Sequence, residues 1–554
     1  MLEGFVPWPD AEVDRYKRAG YWEGRSIAEH LAQWVEQYRD IPALALGGKE
    51  ITYGEMDEKA TRLAFQMARM GVRTYDRVIM QLTNNAEFVY VVYACMKLGA
   101  IPVCTLVTHR WAEISYLARA AEAVAHVIPA GGDGDFDFED FAEKIRDATP
   151  TLRFVFADGK PTRRGIASLQ ELIAREVDLG EARRVLAGFR ADPMYPAFFQ
   201  LSGGTTGVPK IIARTHNDYA YAARCLGEVL DYHTHTRLLL SSPVAHNAAL
   251  INGLLPVHGR GGALVLSPSL APEALLKAMA ENRAETAFLF TVQIHRIMAL
   301  PEEVRRKHDL GALRRLMGFW PHGDPEVLRF LAEYRCGGIQ TYGMTEGLVC
   351  WGRWTDPEEQ RHFTNGRPST EADETRIVDP ATEEELPVGQ TGHMLCRGAC
   401  TIRGYYRAEE RNKEAFTPEG FYRTGDLVRK DENGNLTWQG RIKDCIDRGG
   451  EKVNAEEVES HIGEHPAVSL NAVVGMPDKA MGERICVFVV CRPGAAISLE
   501  ELNEFLLKER GIARFKLPER LELLEELPVT QVGKFEKKSL RELVTKKLKA
   551  EGKI

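Results

Sequence analysis

Short apolar runs of strand length punctuate the N-terminal part of this chain at 78–80, 125–128, 153–156, 237–240, 263–266 and 286–290, with helical stretches between several of them. Strands that alternate with helices are joined by crossovers, so the pattern implies parallel sheets covered by helices. The segment 89–94 (Val-Tyr-Val-Val-Tyr-Ala) reads as helical despite its β-branched residues and leads through 98–103 into a strand. From 392 to 403 the runs shorten and the helices disappear, which suggests a β-rich subdomain. Residues 1–40, rich in charge and aromatics, are expected to wrap the main domain.

A chain of 554 residues exceeds what one hydrophobic core supports. The best boundary falls at 440–444, and beyond it lies a unit of about 110 residues, an ordinary domain size. That unit reads as helix 455–462, strands 470–474 and 485–490, and helix 499–509. The expected fold is therefore α/β. A large N-terminal domain (1–440) carries stacked, helix-covered sheets and the β-rich subdomain, 441–444 forms a junction, and 445–554 makes a small α+β domain.

The formal net charge of −8 argues against nucleic acid as a partner. No segment approaches about 20 uninterrupted apolar residues, so no membrane span is expected. Ten scattered cysteines, of which the closest pair, Cys396 and Cys400, lacks metal-type company, read as reduced thiols in a cytoplasmic protein. The basic end, 534–554, reads as a solvated helix face, with docking of an acidic carrier protein as a second reading.

The densest chemical signal is Ser202-Gly203-Gly204-Thr205-Thr206-Gly207-Val208-Pro209-Lys210. Three glycines free the backbone to approach a ligand, and freed N–H groups can form an anion-binding nest. Three hydroxyls and the Lys210 charge add donors. The spacing is not that of a Walker A loop. Apolar residues on both sides place the segment between two strands.

Further motifs follow in order: 342–346 (Tyr-Gly-Met-Thr-Glu), 422–426 (Tyr-Arg-Thr-Gly-Asp), 440–444 (Gly-Arg-Ile-Lys-Asp), 448–452 (Arg-Gly-Gly-Glu-Lys) and Gly533-Lys534. With these the chain resembles the acyl-adenylate-forming superfamily, and the resemblance extends over nearly its whole length. It implies attack of a carboxylate on the α-phosphate of ATP, giving an acyl-adenylate and pyrophosphate, and then transfer to a thiol. On that resemblance the 202–210 loop cradles the β- and γ-phosphates, Tyr342 lies against adenine, Thr345 reaches the α-phosphate and Glu346 holds Mg2+. Asp426 accepts from the ribose hydroxyls, Arg441 lies near ribose and phosphate, and Lys534 bridges carboxylate and α-phosphate in the transition state. The small domain is implied to rotate about Lys443 or Asp444, bringing Gly449 and Gly450 to a thiol channel.

His246-Asn247, with 214–219 (Arg-Thr-His-Asn-Asp-Tyr), resembles stand-alone aryl-acid adenylating enzymes that activate 2,3-dihydroxybenzoate or salicylate for siderophore biosynthesis. The resemblance places Asn247 on the ortho hydroxyl of the ring. The pocket departs from that pattern at Ala248, where an aromatic is usual, at Asn252, where Ser or Cys is usual, and at Trp320 in a segment usually rich in glycine. Ala248 is expected to open space, Trp320 to remove it, and Asn252 to pair with a second polar ring substituent or a ring nitrogen. Substituted benzoates, anthranilate-like acids and pyridine carboxylates all stay open as substrates. The implied acceptor is a phosphopantetheinylated aryl carrier protein. Coenzyme A is the nearest alternative, and a non-catalytic binder of aryl acids and nucleotides is a third reading.

Overall fold

The β-branched run at 89–94 lies inside a helix, Ala86–Leu98, because both ends of that helix are well terminated. The Asn85 side chain accepts from Phe88 N–H at the start, and Gly99 ends the helix in the left-handed conformation and turns the chain into strand Ile101–Cys104. Nearly every side chain of this helix is buried. A computed structural model describes residues 2–134, 136–202, 209–449, 451–530 and 535–554.

Among these residues the strands form two large sheets. One has the order Ile211–Thr215, Pro196–Leu201, Ile101–Cys104, Arg77–Met80, Ala125–Pro129, Phe154–Asp158, Ile166–Ser168. It is parallel except for its antiparallel edge, 196–201 with 211–215. The other has a parallel centre, Ala263–Leu266, Arg237–Leu240, Thr286–Phe290, Arg315–Phe319 and Gly337–Gly343, with antiparallel strands at both ends. Its strands alternate between two cores. Leu238, Leu240, Phe288 and Met317 join the core shared with the first sheet, whereas Leu239, Leu289 and Leu316 join the core under helices Pro272–Glu281 and Pro325–Tyr334.

The helix-poor region is a four-stranded antiparallel sheet: Glu374–Val378, Thr391–Arg397, Tyr422–Lys430 and Leu436–Arg441. The N-terminal segment does wrap the large domain. Phe5, Trp8, Tyr16 and Trp22 enter the main core, and the strap is pinned where Gly24 N–H donates to Asn217 Oδ1 and Ile27 N–H to His216 Nδ1. Burial pushes the His216 pKa down to about 3, which keeps the ring neutral and its Nδ1 an acceptor.

The C-terminal domain is a five-stranded sheet between two helical layers. Val473, Val487 and Val489 face helices Ala455–Gly463 and Leu499–Lys508, and Ala472, Val474 and Phe488 face helix Lys537–Ala550. That basic helix is held by Leu540, Val544 and Leu548, spaced four apart, each contributing roughly 1.5–3 kcal/mol on burial. Lys538, Lys546 and Lys549 stay in solvent. Ion pairs tie the two domains: Arg492 Nη1 lies 2.8 Å from Glu326 Oε1, and Arg296 pairs with Glu526.

Candidate active site

The glycine-rich segment joins the antiparallel strands 196–201 and 211–215, whose ends are bridged at Ser202 and Lys210. Ser202 N–H donates to Lys210 O (3.1 Å), and Lys210 N–H donates to Ser202 Oγ (3.2 Å). Gly203, Gly204, Thr205, Thr206 and Gly207 lie outside the described residues, as do Gly450 and Lys534. Lys210 stands at the loop's exit, its Nζ donating to Tyr405 Oη at 3.0 Å. Burial lowers its pKa, and Glu346 opposes that shift.

Glu346 is buried and held through one oxygen. Its Oε1 accepts from Tyr405 Oη (2.7 Å) and Tyr422 Oη (3.2 Å). Burial, with Glu346 beside them, pushes both phenols well above their ordinary pKa, so they stay protonated as donors. The backbone is fixed too. Ile402 N–H donates to Glu346 O at 2.8 Å, and a Cβ on the next residue, Gly347, would stand 2.4 Å from the Thr401 Cα. Only glycine allows that close pass. The preceding carbonyl, Thr345 O, accepts from Arg214 Nη1 at 2.9 Å.

A second carboxylate sits across the subdomain sheet, where Asp426 and Arg441 are directly opposite on neighbouring strands. Tyr342 Oη donates to Asp426 Oδ2 at 2.6 Å, and Arg441 Nε lies 3.3 Å from Oδ1. The Tyr342 ring is buried with Ile212, Leu348 and Met394. Glu346 and Asp426 are thus both oriented by tyrosine hydroxyls, an arrangement that can present carboxylate oxygen to a cation or to ligand hydroxyls.

The remaining predicted residues lie after strand 237–240. Asn84 holds the following turn, donating to Ser242 O and accepting from Val244 N–H, both at 2.8 Å. His246 caps the next helix, its Nδ1 accepting from Ala248 N–H at 3.2 Å. Asn247 is buried, and its Oδ1 accepts from Tyr219 Oη at 2.6 Å. The helix widens to a π-turn at Leu250–Leu254, which contains Asn252. Asn252 bonds at both ends of its amide: Oδ1 accepts from Trp351 Nε1 (2.9 Å) and Nδ2 donates to Ala248 O (2.9 Å).

Trp320 was expected to narrow this pocket. Its indole instead packs with Leu289, Ile294, Val327 and Phe330 in the core on the far side of the sheet. The strand alternation explains it, since Met317 faces the main core and Trp320 falls on the opposite phase. Sequence reading missed Tyr405, Tyr219, Tyr232 and Trp351. Tyr232 Oη donates to Asn252 O at 2.8 Å and lies 3.8 Å from Met317 Sδ. Only Tyr219 stood in a motif already singled out. The others are aromatic donors that no local spacing marks.

At the junction, Ile442–Asp444 forms one 3-10 turn, and Asp444 Oδ1 pairs with Arg541 Nη2 at 2.6 Å. Lys443 lies within that turn. Gly449 has φ +63°, and a Cβ there would meet Met481 Cε at 2.5 Å. Gly440 (φ +134°) lies against Asn454, whose Nδ2 donates to Gln439 O at 2.5 Å.

Residues 31–406 match the AMP-binding enzyme family, and 457–534 match the AMP-binding enzyme C-terminal domain. The chain belongs to the AMP-binding enzyme family. It is an adenylate-forming ligase. It is 41% identical over 552 residues to the 2,3-dihydroxybenzoate-AMP ligase of Bacillus subtilis (strain 168), covering 99% of each chain. It is 40% identical to a salicylyl-CoA synthase / salicylate adenylyltransferase of a Streptomyces species, over 98% of each. Among solved structures it is similar to apo MbtA of Mycobacterium smegmatis, with 35% identity, a TM-score of 0.72, and coverage of 97% of this chain and 98% of that one. The two matched regions agree with a large domain followed by a smaller one. No described helix is long and apolar enough to cross a membrane.

Proposed function

We propose that this ligase activates an aromatic carboxylic acid of the salicylate or 2,3-dihydroxybenzoate type and passes the acyl group to the pantetheine thiol of an aryl carrier protein. The observation that carries the reading is Asn247, a buried neutral amide held by Tyr219 at the start of the helix after strand 237–240. The relatives named for dihydroxybenzoate and salicylate support it.

In the first step a carboxylate oxygen attacks the α-phosphorus of ATP, and the bond from that phosphorus to the pyrophosphate oxygen breaks. Both reactants are anionic, so positioning and positive charge supply most of the acceleration. Lys210 and the 202–210 loop hold the outer phosphates, Asp426 accepts from the ribose hydroxyls, and Arg441 adds charge beside them. Tyr342 keeps Asp426 aimed. Lys534 contributes from the small domain. Glu346 fits Mg2+, since this cation takes one or two protein carboxylates and fills its remaining positions with phosphate oxygen and water. Two phenols hold Oε1, which fixes the direction of the carboxylate. When bound, the cation neutralises phosphate charge.

In the second step the thiol attacks the acyl carbon and AMP leaves. The turn at 442–444 serves as the hinge, through Lys443 and Asp444, and Gly449 and Gly450 line the path of the pantetheine arm. The protein works in the cytoplasm on this reading.

ATP–pyrophosphate exchange over benzoate, salicylate, 2,3-dihydroxybenzoate, anthranilate and 3-hydroxypicolinate tests the first step. Strong exchange with an ortho-substituted acid is expected, and its absence with every aryl acid would overturn the reading. Coenzyme A is the second acceptor to test, because one relative is named for both a CoA synthase and an adenylyltransferase activity. Thioester formation on a holo-carrier protein at lower acceptor concentration than on coenzyme A supports the carrier.

A further inference from the structure

Asn247 does not stand alone. Its Oδ1 is taken by the Tyr219 hydroxyl at 2.6 Å, and Tyr219 is wholly buried. Burial pushes the Tyr219 phenol well above its ordinary pKa, so it keeps its proton. A phenol has one proton. Asn247 Oδ1, at 2.6 Å, takes that proton in a hydrogen bond.

The Tyr219 ring is fixed in turn. Arg214 Cζ lies 4.5 Å from its centroid, and Phe198 packs at 5.2 Å. Arg214 is itself buried and immobilised: Nε donates to Asp218 Oδ1 (2.9 Å) and Nη1 to Thr345 O (2.9 Å). Asp218 Oδ2 accepts from Thr215 N–H at 2.7 Å, closing the cap of the helix that carries Tyr219. One buried cation therefore braces both the loop that carries Glu346 and the phenol that orients Asn247.

We infer that Tyr219, set by Arg214, is a positioning residue that turns the Asn247 amide so that its N–H face, not its carbonyl, meets the ortho position of the acid. This deepens the aryl-acid reading and rests on it. The consequence is a substrate class: acids whose ortho group accepts a hydrogen bond. An ortho hydroxyl gives its proton to its own carboxylate and keeps an oxygen lone pair for Asn247. A pyridine nitrogen accepts in the same way. The ortho amine of an anthranilate has its lone pair drawn into the ring and offers chiefly N–H, which meets the N–H of the amide donor to donor.

The test is ATP–pyrophosphate exchange with salicylate and anthranilate on the wild-type protein, on Tyr219→Phe and on Asn247→Asp. The wild type is expected to favour salicylate in kcat/KM by more than tenfold. Tyr219→Phe frees the amide to turn over, and the ratio should contract about tenfold, chiefly through KM for the acid. A merely structural role would lower exchange with both acids together and leave the ratio unchanged, which would overturn the inference. Asn247→Asp replaces the donor with an acceptor that Tyr219 still holds, so the ratio should move towards anthranilate by at least tenfold. A wild-type preference for anthranilate would also overturn it. If no aryl acid supports exchange, the aryl-acid reading itself falls; exchange with an unmoved ratio removes Tyr219 alone.

Discussion

The nucleotide side and the acid side of the proposed site use the same device on different chemical groups. On the nucleotide side, tyrosine hydroxyls hold carboxylates: Tyr405 and Tyr422 on Glu346, Tyr342 on Asp426. On the acid side, aromatic donors hold amides: Tyr219 on Asn247, Trp351 on Asn252. The difference lies in charge. A carboxylate suits a cation or sugar hydroxyls; Arg441 pairs with Asp426, and Lys210 shares the Tyr405 hydroxyl with Glu346. A neutral amide can be enclosed with an apolar ring at far smaller desolvation cost than an ion. Charge therefore sorts the two halves of the site, while the aromatic donors fix geometry in both.

The largest expected effect falls on the nucleotide side. Lys534→Ala should lower pyrophosphate exchange by about 10²–10³-fold, the usual cost of removing a donor aimed at transition-state charge. A loss of less than about fivefold would remove Lys534 from the first step. Next comes a stability effect on the acid side. Asn252→Ala strips the acceptor from the fully buried Trp351 indole and should cost about 1–3 kcal/mol in urea unfolding. Unchanged stability would mean that the indole N–H finds another partner. Smaller again is Tyr405→Phe, which removes one of the two donors on Glu346 and the partner of Lys210. Half-saturation by Mg2+ should rise about tenfold at fixed ATP. An unmoved Mg2+ requirement with only a slower rate would separate Tyr405 from the metal.

These two halves were unequally legible in the sequence. The residues proposed for the nucleotide side stand in ordered short motifs, because each is a local turn or strand end whose glycines and polar residues are adjacent in the chain. Its tyrosine clamp was only half visible, since Tyr405 reaches Glu346 from 59 positions away. On the proposed acid side the sequence singles out His246-Asn247, while Trp320, expected in the pocket, lies in the far core. Whether a side chain at a strand end faces one core or the other depends on register, and a one-residue difference reverses it. The sheets were clear from apolar runs, and in the small domain the sequence marked two strands and two helices but not the sheet's packing between two helical layers. The π-turn that holds Asn252 leaves no mark in local composition.

The smallest effect comes from comparing two buried acids near Arg214. Asp218 bonds to Arg214 and Thr215, whereas both carboxyl oxygens of Asp373 are shut off from solvent without a hydrogen-bond partner among the described residues. Burial pushes the Asp373 pKa up to about 7, and Thr370 and Arg214 only partly oppose it. The folded pKa thus lies above the unfolded value of 3.8, so between those values the folded protein holds the extra proton. Stability must then fall as pH rises from about 4 to about 7 and level off above that. Between pH 6 and 8 this group accounts for a loss of about 1 kcal/mol. Asp373→Asn keeps the shape without the titration, so its unfolding free energy should exceed the wild-type value at pH 8 and approach it at acid pH. Parallel pH profiles for the two proteins would show that Asp373 is ionised and paired in solution, and that the contrast with Asp218 does not hold.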